Sequence, residues 1–162
     1  MQTAADYNEF RACATMIDRS KLENVILVAD RGYENYNIFA HAIEKGWKFA
    51  IRIKDKNSNG IASGLNLPPN DEFDIDITQI FSRENTKTTK NADYKWMPVN
   101  QVFDYLPRKS DKTYELSFEM AHYADIGIIL HREKYIRATR STSSFDLISL
   151  LVASIIGCSV MP

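Results

Sequence analysis

A chain of 162 residues with 44% hydrophobic content is long enough to bury one sizeable core. Its 20 basic and 21 acidic residues leave a net charge of -1, which excludes a globally basic nucleic-acid binder, so any such surface must be local. Cys13 and Cys158 fit no CxxC spacing, which excludes a disulfide framework and a cysteine zinc site; the first six residues lack the basic and apolar regions of a signal peptide, and a cytoplasmic location is expected.

From Asp6 to Arg19 the apolar residues Phe10, Cys13, Ala14 and Ile17 recur at helical spacing, and Asp6 with Glu9 has the form of a capping box. Val25 to Ala29 is a short apolar run that reads as a strand buried on both faces, and it stops on Asp30. In open α/β sheets the carboxyl ends of strands are where ligands and catalytic groups gather. Gly32 is expected to allow a sharp turn there. Asn35 then caps a helix carrying Ile38, Phe39, Ala42 and Ile43 on one face, and Gly46 closes it. Trp47 to Lys54 alternates, with Trp47, Phe49, Ile51 and Ile53 on one side and Lys48, Ala50, Arg52 and Lys54 on the other. The unit is a βαβ module with one carboxylate at its active edge. Arg52 and Lys54 suit a phosphate backbone, or else a solvated strand face. Glu34 reads as helix N-terminal charge or as an acid supporting Asp30, and His41 as a surface or packed histidine.

Residues 55–72 hold a cluster of turn formers, and Phe73 to Thr78 alternates strictly, placing Asp74 and Asp76 on the solvent face. Arg83 to Lys95 is polar and contains Lys87, Lys90 and Lys95, a DNA-backbone patch or a solvated connector. Thr113 to Met120 and Ile126 to Leu130 are further strand candidates. The segment 131–140 is basic, and the uncharged run from Leu147 is shorter than the roughly 18 to 20 residues of a membrane helix, so no membrane association is expected.

The residues around Asp30 also carry a resemblance. Val28-Ala29-Asp30-Arg31-Gly32-Tyr33, followed by Asn37 to His41, Glu44-Lys45-Gly46 and Ile51 to Asp55, resembles the second-aspartate region of DDE transposases of the insertion-sequence-four type, densely from about Asp6 to Asp74. The resemblance implies a partial ribonuclease-H-like core in residues 1–56, a β-rich insertion subdomain in 73–130 and an atypical tail in 131–162. It also implies Mg2+ as cofactor, Asp30 as catalytic metal ligand, and DNA at transposon ends as partner, with Arg52, Lys54, Lys87 and Lys90 as DNA-binding candidates.

Two-metal phosphoryl transfer needs several carboxylates around cations about 3.5 to 4 Å apart, which one aspartate does not supply. The family's first aspartate lies on an earlier strand. Its final glutamate, in a Tyr-x-x-Arg-x-x-x-Glu pattern, is not matched at Tyr135-Ile136-Arg137. The expectation is therefore a truncated or frameshifted copy, inactive alone, with an uncovered apolar sheet edge that makes it marginally stable. The alternative is a non-catalytic protein that binds DNA or a full-length transposase.

Overall fold

The computed structural model describes residues 8–70, 72–88, 93–123 and 126–131, with the backbone alone for 87, 88, 123 and 126. Helix α1 (Glu9–Arg19) starts at Asn8, whose side chain accepts the Arg11 N–H at 3.1 Å, and it buries Cys13, Ala14 and Ile17. The cap is thus Asn8, and Asp6 of the expected capping box lies outside the described residues. Strand β1 (Ile26–Ala29) leads through a 3-10 turn at Arg31–Tyr33 to α2 (Tyr36–Glu44). Asn35 caps α2 by accepting the Asn37 N–H at 2.8 Å. Gly46 ends it at φ +71°, a conformation that side chains with a Cβ resist.

Strand β2 (Lys48–Ile53) pairs in parallel with β1, completing the expected βαβ unit. The chain then forms β3 (Phe73–Ser82), β4 (Tyr94–Trp96), β5 (Thr113–Tyr123) and β6 (Ile126–His131). Strand β6 returns antiparallel to β2, β5 pairs with β6 and with β3, and β4 runs parallel to β3. One six-stranded sheet results, in the order β1-β2-β6-β5-β3-β4. The strands of residues 73–131 therefore continue the sheet that begins at β1.

Two local expectations are corrected. Strand β1 is not buried on both faces: it is the terminal strand, and Ile26 and Val28 are 58% and 47% exposed while Leu27 and Ala29 pack on the core. A short apolar run does not distinguish a central strand from an edge strand whose outer face lacks cover. Gly32 has no left-handed φ, and nothing would meet an added Cβ, so the turn after Asp30 does not depend on it.

The core lies where α1 and α2 meet the sheet. Phe39 stacks on Phe49 at 5.1 Å, and Tyr36 meets Phe81 edge-on at 4.8 Å. The alternation of β2 holds, with Phe49, Ile51 and Ile53 in this core, while Ala50 joins Ala121, Ile128 and Leu130 in a smaller cluster.

His41 is buried and its two ring nitrogens face carboxylates, Nδ1 at 2.7 Å from Asp18 and Nε2 at 2.9 Å from Asp104. Both bonds form together when each nitrogen carries a proton. Asp104 also accepts from the Asn37 side chain at 2.8 Å, and Asn37 Oδ1 accepts the Asp104 N–H at 2.8 Å. The Tyr105 hydroxyl lies 3.3 Å from Nδ1, and Lys45 donates to the Asp18 carbonyl. α1, α2 and the loop at 104 are fastened at one point. Burial pushes the Asp104 carboxyl upward, but the bonds from Asn37 and His41 and the charges of His41 and Arg11 outweigh it and hold it below its ordinary value of 3.8. A depressed carboxyl contributes stability above its unfolded value that is lost as pH falls through its folded one. Acidification below about pH 4 should therefore weaken the fold, and in Asp104→Asn the acid-side fall in unfolding free energy should be shallower. Equal acid-side slopes in denaturant titrations of the two proteins would contradict this.

Candidate active-site edge

Asp30 follows β1 directly, as expected, and its side chain is 64% exposed. The parallel register sets Val28 beside Ala50 and Ala29 beside Ile51, which brings Arg52 of β2 level with Asp30. Its Nη1 stands 3.8 Å from Asp30 Oδ1. An exposed pair at that separation contributes less than about 1 kcal/mol, so it orients the carboxylate more than it stabilises the fold. Two residues that the sequence analysis assigned to different tasks, metal ligation and DNA contact, are here neighbours.

A groove runs between α1 and β1 at Asp30, lined by Glu9, Cys13, Met16, Val28, Asp30 and Tyr33 among others. Burial pushes the Cys13 thiol upward, which keeps it neutral and poorly nucleophilic. Glu34, half-buried, follows the turn after Asp30. Its Oε2 accepts the Lys54 N–H at 2.8 Å and its Oε1 accepts the Ile61 N–H. These contacts go to the backbone of the 54–61 segment and not to Asp30: the acid pins the segment leaving β2 to the turn that follows Asp30.

Of the basic candidates, the structure describes the side chains of Arg52 and Lys54. Arg52 is at the edge, and Lys54 is exposed one residue beyond β2. The Lys87 side chain and the whole of Lys90 lie outside the described residues, as do the segment 132–140 and the apolar run from Leu147. Lys95 points inward, with Nζ 5.1 Å from the centre of the Tyr36 ring and 2.9 Å from where a Cβ on Gly64 would stand. Burial lowers its pKa, and it does not belong to an exposed patch.

Among the described residues no group of three or more His, Cys, Asp or Glu side chains gathers as a metal site would require. Asp74 and Asp76 are exposed on β3, as the alternation predicts. Glu34 is committed to backbone N–H groups, which leaves Asp30 with Glu9 elsewhere in the same groove. This donor set does not complete a two-cation centre. No helix among the described residues is long and apolar enough to cross a membrane.

His41, Asp18, Asp104 and Arg83, which tie the elements together, carry no local sequence signature, because each bond spans more than ten positions. Comparison with known proteins finds no matching curated protein and no matching solved structure. A family model described as "Transposase DDE domain" matches residues 2–128, a span that includes the Asp30 edge and nearly all of the sheet. Proteins of that family generally use a divalent metal and act on DNA. A match over well over half of the sequence, on a βαβ unit with an aspartate at its strand end, establishes that the chain belongs to the transposase DDE domain family.

Proposed function

We propose that this chain is part of a DNA transposase of the insertion-sequence-four type, in which Asp30 is a ligand for catalytic Mg2+. In this reading residues 1–56 are a portion of a ribonuclease-H-like core, and 73–130 are a β-rich addition that extends its sheet. The observation that carries the reading is the position of Asp30 at the carboxyl end of a parallel strand, inside the matched family span, with Arg52 beside it. Intact relatives would cut and join transposon ends by two-metal phosphoryl transfer. Here Asp30 stands without the family's first aspartate and final glutamate, and the chain alone is inactive.

Arg52 orients the Asp30 carboxylate, and Glu34 fixes the neighbouring segment. With Lys54, Arg52 offers positive charge to a DNA backbone approaching the edge, and Lys87 and Lys90 would extend that surface. The lack of a complete donor set among the described residues also favours a second reading, a non-catalytic protein that binds DNA or a full-length transposase and interferes with it.

A strand-cleavage assay in Mg2+ on DNA carrying transposon ends tests the first reading. The chain alone is expected to leave the DNA intact. Mg2+-dependent cleavage that disappears in Asp30→Asn would refute inactivity while supporting the role of Asp30. Cleavage that survives Asp30→Asn would refute the assignment of Asp30.

A further inference from the structure

A second basic site lies on the opposite flank of α1 from the groove at Asp30. An open cleft of about 310 Å³ lies between α1 and the loop at 99–108, and Arg11, Arg83 and Arg108 all line it. Arg83 is its innermost cation by exposure. The residue is buried, and its guanidinium donates only to main-chain carbonyls in the hydrogen bonds it makes: Leu106, Met97, Pro98, Gln101 and Phe103. Its donors are used up, but carbonyl dipoles do not cancel its charge. A fixed positive charge therefore stands behind the cavity.

Arg11 and Arg108 are exposed, one on the first turns of α1 and one at the loop's end. Among the described residues the one carboxylate in the lining is Asp104, which is already held by Asn37 and faces His41. Three guanidinium groups thus share one partly engaged acid. The rim adds Val99 and Val102, 53% and 58% exposed, which offer apolar surface beside the cations. Positive charge beside small apolar surface matches the alternation of phosphate and deoxyribose along a nucleic-acid strand. Planar guanidinium groups are well suited to phosphate oxygens.

We infer that this cavity binds the phosphodiester backbone of DNA, with Arg11 and Arg108 as the contacting residues and Arg83 as the fixed charge behind them. The inference rests on the reading of this chain as a DNA-acting protein, and it adds a contact site outside the β2 edge. Glu9 lines the groove at Asp30 while Arg11, two residues on and roughly on the opposite face of α1, lines this cavity.

The test is a titration of the full chain with a labelled duplex at several salt concentrations. The Arg11→Gln, Arg108→Gln double variant is expected to reduce the magnitude of the log K against log salt slope by about one per arginine, and to bind roughly tenfold or more weakly near physiological salt. Lys21→Gln, at an exposed position of neither site, is expected to leave the slope unchanged. Binding by the wild type with an identical slope in the double variant would overturn this inference and leave DNA binding standing. Failure of the wild type to bind at low salt would overturn both. Inorganic phosphate bound by the wild type and lost in the double variant, with no change in the DNA slope, would assign the cavity to free phosphate instead.

Discussion

Arg83→Met is expected to lower the unfolding free energy by roughly 3–5 kcal/mol, as several buried main-chain carbonyls lose their donor at about 1–3 kcal/mol each. The side chain is 9% exposed and holds the segment between β4 and β5 from within. Nε donates to the Leu106 carbonyl at 3.1 Å, and Nη1 to Met97, Pro98 and Gln101 at 3.2, 2.6 and 3.1 Å. Nη2 donates to Phe103 and Leu106 at 3.5 and 2.9 Å. Of these five carbonyls, Pro98 and Phe103 also accept the Gln101 and Leu106 N–H groups, so methionine would fill much of the volume while taking the donor from the Met97, Gln101 and Leu106 carbonyls, at about 1–3 kcal/mol for each that stays dry. Burial, and then the charge of Arg108, pulls the Arg83 pKa downward, yet an arginine begins high enough to remain charged. Lysine offers three donors from a single point and does not span the same carbonyls, so Arg83→Lys should recover only part of the loss. Denaturant unfolding, with limited proteolysis at 97–106, measures both variants. A loss below about 1 kcal/mol for Arg83→Met would mean that water satisfies the carbonyls and that the segment is not held from inside.

The contrast between Asp30 and Arg83 shows what the sequence could reveal. Asp30 was legible because local pattern sufficed: an apolar run, an acid, a capping asparagine and a second alternating run within thirty residues, each with its own periodicity or cap. The helix boundaries near Asn35 and Gly46 followed for the same reason, since a cap is made by residues two or three apart. Arg83 sits at the end of an alternating strand and reads as one more surface cation, because its partners lie 14 to 23 positions away and are main-chain carbonyls of any residue type. His41 was equally opaque. Its carboxylate partners come from α1 and from the loop at 104, and only the packing of α2 between them explains why a histidine on an apolar face is neither exposed nor orphaned. The joining of β6 to β2 was not legible either, since alternation fixes which side chains face the core but not which strand is the neighbour.

Glu34→Ala should destabilise the chain by about 2 kcal/mol and loosen the edge at Asp30 more than the fold as a whole. The carboxylate accepts two backbone N–H groups, from Lys54 and Ile61, so it closes the 54–61 segment against the turn that follows Asp30. Hydrogen bonds to a charged acceptor contribute roughly 1.5–3 kcal/mol each when dry, and partial exposure of Glu34 puts the pair at the lower end. Gly60 belongs to the same device. A Cβ there would stand 2.7 Å from Glu34 Oε1 and 2.9 Å from the Lys54 Cβ, so the close approach of backbone to carboxylate requires glycine. Gly60→Ala should therefore be costly in the wild type and cheaper once Glu34 is alanine, a coupling that a double-mutant cycle reads directly. Amide exchange gives the spatial test: Lys54 and Ile61 should lose protection in Glu34→Ala while Phe39 and Ile51, deep in the core, keep theirs. Within the segment, Asp55 still accepts from Asn57 and Ser58, so the turn itself should persist and only its attachment should fail. Additive effects of the two substitutions, or protection lost evenly across the sheet, would show that Glu34 is an ordinary stabilising acid with no special hold on the segment beside Asp30.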